Sequence, residues 1–210
     1  MKRIIKSPAL ILAAALGLSA CGMPFDVSRD ASLDNISPVI EAPTQDWSIA
    51  DYDLSVPRTL EVSEANSIKP RADIVWREDP LGDRHAQVAA LFDRALSEVM
   101  APRADAATPV VVAIEVTRFH ALTERARYTT GGEHEIEFIL TVRHAETGAI
   151  VSGPRPVDIT FRAHGGRAAI EAEAAGITQR SRILDRIRDW ARTEFPAPDA
   201  DFTTVAEFDG

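Results

Sequence analysis

A single cysteine, Cys21, stands in 210 residues, so no intrachain disulfide can staple the fold, and no second thiolate is available for metal or redox work. Lysine is nearly as scarce: Lys2, Lys6 and Lys69 are the only ones, against 20 arginines, and formal net charge is −9. An acidic chain lacks the clustered positive charge that releases counterions from phosphates, which excludes a nucleic-acid-wrapping role. Aromatic residues make up only 6%. Long apolar runs are missing too. The longest apolar run, residues 9–20, falls short of the roughly 20 residues a helix needs to cross a bilayer.

Several chemical signatures are also lacking. No Gly-x-Ser-x-Gly elbow occurs, and no glycine-rich loop opens a helix to cradle phosphate. The five histidines show no zinc-type spacing. His134 and His144 share a strand face, but ten residues at about 3.3 Å each set them about 33 Å apart. They cannot hold one ion, so no metal site is expected, and His85, His120 and His164 are read as ordinary surface or strand-end residues. Glu133, Glu135 and Glu137 repeat at period two, which suits a solvated strand face. No catalytic residues are assigned.

What is present begins at the N-terminus. Lys2, Arg3 and Lys6 precede the short apolar run, the pattern of an export signal over residues 1–20. The run ends in Leu18-Ser19-Ala20-Cys21-Gly22, which resembles the lipobox of bacterial lipoproteins. That resemblance implies cleavage before Cys21, with a covalent diacylglycerol and an N-acyl chain on that residue. No other cofactor is expected. Each buried methylene adds roughly 0.8 kcal/mol, so two or three chains hold a protein on a membrane where one does not. Gly22 in place of an acidic residue implies, by the same resemblance, sorting to the periplasmic face of the outer membrane. Losing residues 1–20, which carry three cations and no acid, takes the net charge from −9 to −12.

Residues 21–51 hold Pro24, Pro38 and Pro43 without sustained periodicity and read as a tether, with Trp47 and Tyr52 packing on a following domain over 52–196. Alternation in Leu54, Val56, Leu60 and Val62 predicts a first strand over about 54–63, and Ala72–Trp76 a second. Asp79-Pro80 is expected to open a helix. Val88, Leu91, Phe92, Ala95, Leu96 and Val99 form its apolar face, and Pro102 stops it.

Strands are expected from Val110 to about Phe119, and from His134 to His144 with Ile136, Phe138, Leu140 and Val142 inward. A hairpin follows through Glu146-Thr147-Gly148 into Ile150. Pro154 and Pro156 are expected to interrupt pairing before a last strand marked by Val157, Ile159 and Phe161. One helix is predicted over 168–194, with Ile170, Ala174, Ile177, Leu184, Ile187 and Ala191 inward and Gly176 bending it. Its arginines are expected to balance at i,i+3 as Arg182–Asp185, Arg186–Asp189 and Asp189–Arg192. Residues 197–210 form an acidic tail expected to lack order. The fold class is α+β: a mostly antiparallel sheet of about five or six strands with two helices packed on one face.

The segment from Leu60 to Met100, above all Ala72-Asp73-Ile74-Val75-Trp76-Arg77-Glu78-Asp79-Pro80-Leu81 before a helix, is similar to transport-auxiliary lipoproteins of ABC-type and mammalian-cell-entry lipid transporters, and to uncharacterised alphaproteobacterial lipoproteins. Trp76, Arg77 and Pro80 carry over as structural markers. The long tether, Gly82-Asp83-Arg84-His85 and the acidic tail depart from the pattern. The resemblance implies a non-enzymatic accessory or adaptor subunit, held to the membrane by its lipid and facing a protein partner in the envelope. A lipid- or amphiphile-binding lipoprotein, which needs an apolar cavity between helices and sheet, and an envelope hydrolase are the alternative readings.

Overall fold

β-Branched and aromatic residues at alternate positions dictate two 13-residue strands, β3 (Thr108–His120) and β4 (Gly132–His144), paired antiparallel from Val110↔His144 to His120↔Glu135. They are the centre of a mixed six-stranded sheet in a computed structural model that describes residues 47–100 and 108–196. β1 (Trp47–Ser55) and the two-residue β2 (Ile74–Val75) pair with β3 in parallel. β5 (Ile150–Asp158) and β6 (Phe161–Ala163) pair with β4 antiparallel. Four helices complete an α+β fold: α1 (Arg84–Leu96), α2 (Glu124–Arg127), α3 (Arg167–Ala174) and α4 (Gln179–Glu194). The predicted signal, Cys21, most of the tether and the acidic tail lie outside the described residues.

One row of each central strand, Val110, Val112, Ile114 and Val116 with Ile136, Phe138, Leu140 and Val142, joins a buried cluster with Val88, Leu91, Phe92, Ala95 and Leu96 of α1 and Ile183, Leu184, Ile187 and Ala191 of α4. The few aromatics are concentrated here. Trp76, Phe119, Phe92, Phe138, Trp190, Phe195 and Trp47 form a chain of ring contacts with centroids 4.7 to 6.3 Å apart, four of the six near edge-on. All three tryptophans therefore sit in one connected core.

Local expectations fail at four places. The first strand is Trp47–Ser55 and not 54–63, so Trp47 to Asp51 are strand where a tether was expected. Beyond Ser55 only Val62 bridges, to Ile74. Alternation there is real, but Pro57 and the turn after it carry no ladder. Second, Asp79-Pro80 does not start α1. Asp83 caps it instead, accepting from the Ala86 amide at 3.1 Å, and the helix ends at Leu96 before Pro102.

Third, Pro154 and Pro156 do not divide β5, because it is an edge strand whose register shifts beside Val142 absorb them; the separate β6 follows. Fourth, the single terminal helix is two. Gly176, at φ 79°, ends α3 with the Ile177 amide on the Ala172 carbonyl and its own amide on the Glu173 carbonyl. Thr178 and Ser181 then cap each other's amides to start α4. The break turns Ile170 and Ile177 outward, 56% and 47% exposed, where one continuous amphipathic face would have buried them.

Candidate functional site

Polar side chains gather in two places. The first is where β2, the loop after it and the start of α1 meet. Trp76, wholly buried, donates from its indole to Asp79 at 2.6 Å, and the Arg180 guanidinium of α4 lies 5.2 Å over its ring while pairing with Asp79. Arg77 pairs with Glu124 of α2 at 2.7 Å. Pro80 is exposed, and its carbonyl accepts from Gln87 at 2.9 Å. The three marker residues are thus neighbours in one joint.

Arg84, only 4% exposed, holds that joint. It forks onto Glu64 at 2.6 and 2.9 Å and also reaches the Asp79 and Pro80 carbonyls and Gln87. The Arg84 hydrogen bond holds the Glu64 carboxyl below the usual carboxylate range. Among the described residues no buried side-chain nitrogen or oxygen of this joint lacks a hydrogen-bond partner, and its ion pairs tie β2, α1, α2 and α4 together. Sequence reading missed Arg84 because its partner lies 20 residues upstream, in a segment with no periodic signal.

The second place lies beneath α3. His134 points inward from β4 and is 1% exposed, with its Nδ1 lacking any hydrogen-bond partner. Arg127 Nε of α2 and Glu173 Oε1 of α3 are likewise buried without an aligned partner, although Glu173 Oε1 sits 3.0 Å from the Arg127 guanidinium. Tyr128 donates to the other Glu173 oxygen at 2.9 Å. His164, Gln179 and Arg182 complete the walls of a recess enclosing about 10 Å³, room for a single water.

Burial pushes the His134 imidazole down to about 3, with Arg182, Arg127 and His164 acting in the same direction, so the ring is neutral at ordinary pH. Burial also lowers Arg182, which donates to the Arg162 carbonyl at 2.8 Å and lies 5.1 Å from the Phe161 ring centroid. A neutral imidazole ringed by guanidinium groups can accept a hydrogen bond or, if exposed, a proton.

Not all histidines are surface residues, then. His134 is buried, and His120, which does stand at the end of β3 as expected, is buried too, its ring contacting the Pro70 carbonyl at 3.0 Å. Among the described residues no group of three metal-capable side chains comes together. Glu135 does not stand in solvent either: it binds Arg118 at 2.6 Å and also Lys69. Two open grooves of about 340 and 510 Å³ flank Lys69, both lined by charged side chains. On α4 the pair Asp189–Arg192 forms, at 3.4 Å, but Arg182 and Arg186 turn to the carbonyls of Arg162 and Ile159. Arg188 takes Asp185 and Glu98.

Residues 47–208, from the start of β1 into the acidic tail, match the model of a family of unknown function, DUF6778. The chain belongs to that family. No curated protein matches it. Among solved structures it is similar to a Xanthomonas campestris protein of family DUF330, at 13% identity over 70% of this chain and 83% of that one, with a TM-score of 0.40. A Caulobacter crescentus protein described as a lipoprotein is 18% identical over 55% of this chain and 83% of that one, TM-score 0.29. The corresponding figures for a minor lipoprotein of Acinetobacter baumannii are 13%, 69%, 90% and 0.29. Likeness at this level transfers no residue roles. No helix among the described residues is long and apolar enough to cross a membrane.

Proposed function

We propose that this protein is a lipid-anchored envelope protein whose α+β body serves as a non-enzymatic adaptor for a transport or assembly system. Anchoring is supported by Leu18-Ser19-Ala20-Cys21 after a short apolar run, and the finer placement, at the periplasmic face of the outer membrane, by Gly22. Acyl chains on Cys21 supply the membrane affinity, and the stretch from Cys21 to Trp47 supplies reach.

The observation that carries the adaptor reading is the second face of the sheet. α1 and α4 share a core with one row of β3 and β4, whereas Val111, Ala113 and Ile139 of the other row stay partly exposed among Glu115, Arg118 and Glu137. On that face each apolar side chain stands opposite a polar one, Val111 against Arg143, Ala113 against Thr141 and Ile139 against Glu115, the mixed composition of a non-obligate protein-binding surface. Envelope crosslinking followed by purification of the full chain tests this reading. A transport or assembly component should be recovered from wild type and lost on Ala113→Arg with Ile139→Arg. Equal recovery from the doubly substituted chain, or recovery of no such component, counts against it.

A further inference from the structure

α3 is weakly fastened to the body. Of its eight residues only Ala169 is buried, its first turn has no side-chain cap, and its outward Ile170 touches no core. Both of its ends are glycines in the left-handed region, Gly166 at φ 56° and Gly176 at φ 79°. The anchors beyond those glycines are firm. Gly165 packs so closely on Gly131 that a Cβ there would come within 2.3 Å of the Gly131 Cα, and the Gly166 amide donates to the Arg127 carbonyl at 2.8 Å. On the other side Thr178 is locked into the start of α4. The segment between is a strap with a pivot at each end.

What the strap covers is the recess around His134. Across it the Arg127–Glu173 contact and the Tyr128–Glu173 hydrogen bond are the side-chain ties holding α3 down. The groups facing His134 are Arg127 from α2, Glu173 from α3, His164 from the turn before α3, and Gln179 and Arg182 from α4, with the Phe161 ring 5.0 Å away. Two guanidinium groups against one carboxylate leave no counter-charge for a third cation. We propose that α3 is a hinged strap over His134, and that proton uptake by this imidazole opens it.

Energetics set the sign and size. The ring can be charged only when the strap is lifted and water reaches it. Closed, it takes a proton at about 3; open, it takes one at the ordinary histidine value of 6.5. The closed state therefore keeps its full advantage above pH 6.5 and loses it progressively as pH falls from 6.5 towards 3. From pH 7.5 to 5.5 the opening equilibrium shifts about tenfold by linkage. Opening with proton uptake adds one more positive charge to a recess that already holds two guanidinium groups and one carboxylate.

Amide hydrogen exchange on the full chain, corrected for the intrinsic pH dependence of exchange, reads the opening directly. Amides of residues 169–176 should open about tenfold more at pH 5.5 than at 7.5, while those of β3 and β4 do not change. His134→Gln, which cannot take a proton, should abolish the difference, and His164→Gln should keep it. In wild type the His134 ring should titrate in step with the exchange of α3, a readout that needs no variant. Exchange of α3 independent of pH, a pH effect retained in His134→Gln, or an imidazole that titrates without α3 opening would each overturn the proposal.

Discussion

Trp76→Ala lowers the stability of this protein by about 3–5 kcal/mol, the range for removing a wholly buried large aromatic. The size follows from what the indole joins. Its ring meets Phe119 edge-on at 5.9 Å, its N–H satisfies Asp79, and its face carries Arg180. Truncation opens a cavity at one end of the aromatic chain and leaves Asp79 and Arg180 without their shared platform. At about 2–4 °C per kcal/mol for a body of this size, melting should fall by about 10 °C. Trp76→Phe keeps the apolar volume but not the donor and should lose less than half as much. Urea unfolding followed by circular dichroism checks both, and a loss under about 1 kcal/mol for the alanine variant would mean that the ring does not support the core as described.

Arg84→Ala should cost about 3 kcal/mol, towards the lower end for breaking a buried ion pair because the Glu64 side chain remains 39% exposed. This one guanidinium donates five hydrogen bonds, two of them to the backbone carbonyls of Asp79 and Pro80. Arg84→Lys restores charge but not the fork, so it should recover less than half the loss. The acid response separates the pair from simple packing. Glu64 is held low in the folded protein, so its contribution is present above the ordinary carboxylate range and lost as pH falls through the depressed value. In Arg84→Ala that component should vanish. Stability curves over pH 3–7 that run parallel in the two proteins would refute the assignment.

The two cases differ in how far the sequence discloses them. Trp76 is visible as the end of a β-branched run before a helix, and the inward row from His134 to Val142 follows from strict alternation; both appear where expected. Arg84 and Glu64 are not visible, since a salt bridge across 20 residues of irregular chain leaves no periodic trace. The division of the last helix was half legible: Gly176 marks the place, but a glycine can bend a helix as well as end it, and the reciprocal Thr178–Ser181 cap decides the outcome. The first strand was misplaced because alternation at 54–62 outweighed the Trp47–Ile49 run, whose burial depends on Phe195 from the far end of the chain. His134 was read correctly as inward-facing, yet its orphan nitrogen depends on α2 and α3, which the sequence did not separate from loop and long helix.

We propose that Cys21 ties this body to a membrane. Metabolic labelling with fatty acid, followed by membrane fractionation of wild type and Cys21→Ser, tests it most directly. Wild type should carry label and stay with the membranes, and the variant should lose both. A Cys21→Ser chain that stays in the membrane fraction, or a wild-type chain that takes up no label, would contradict it.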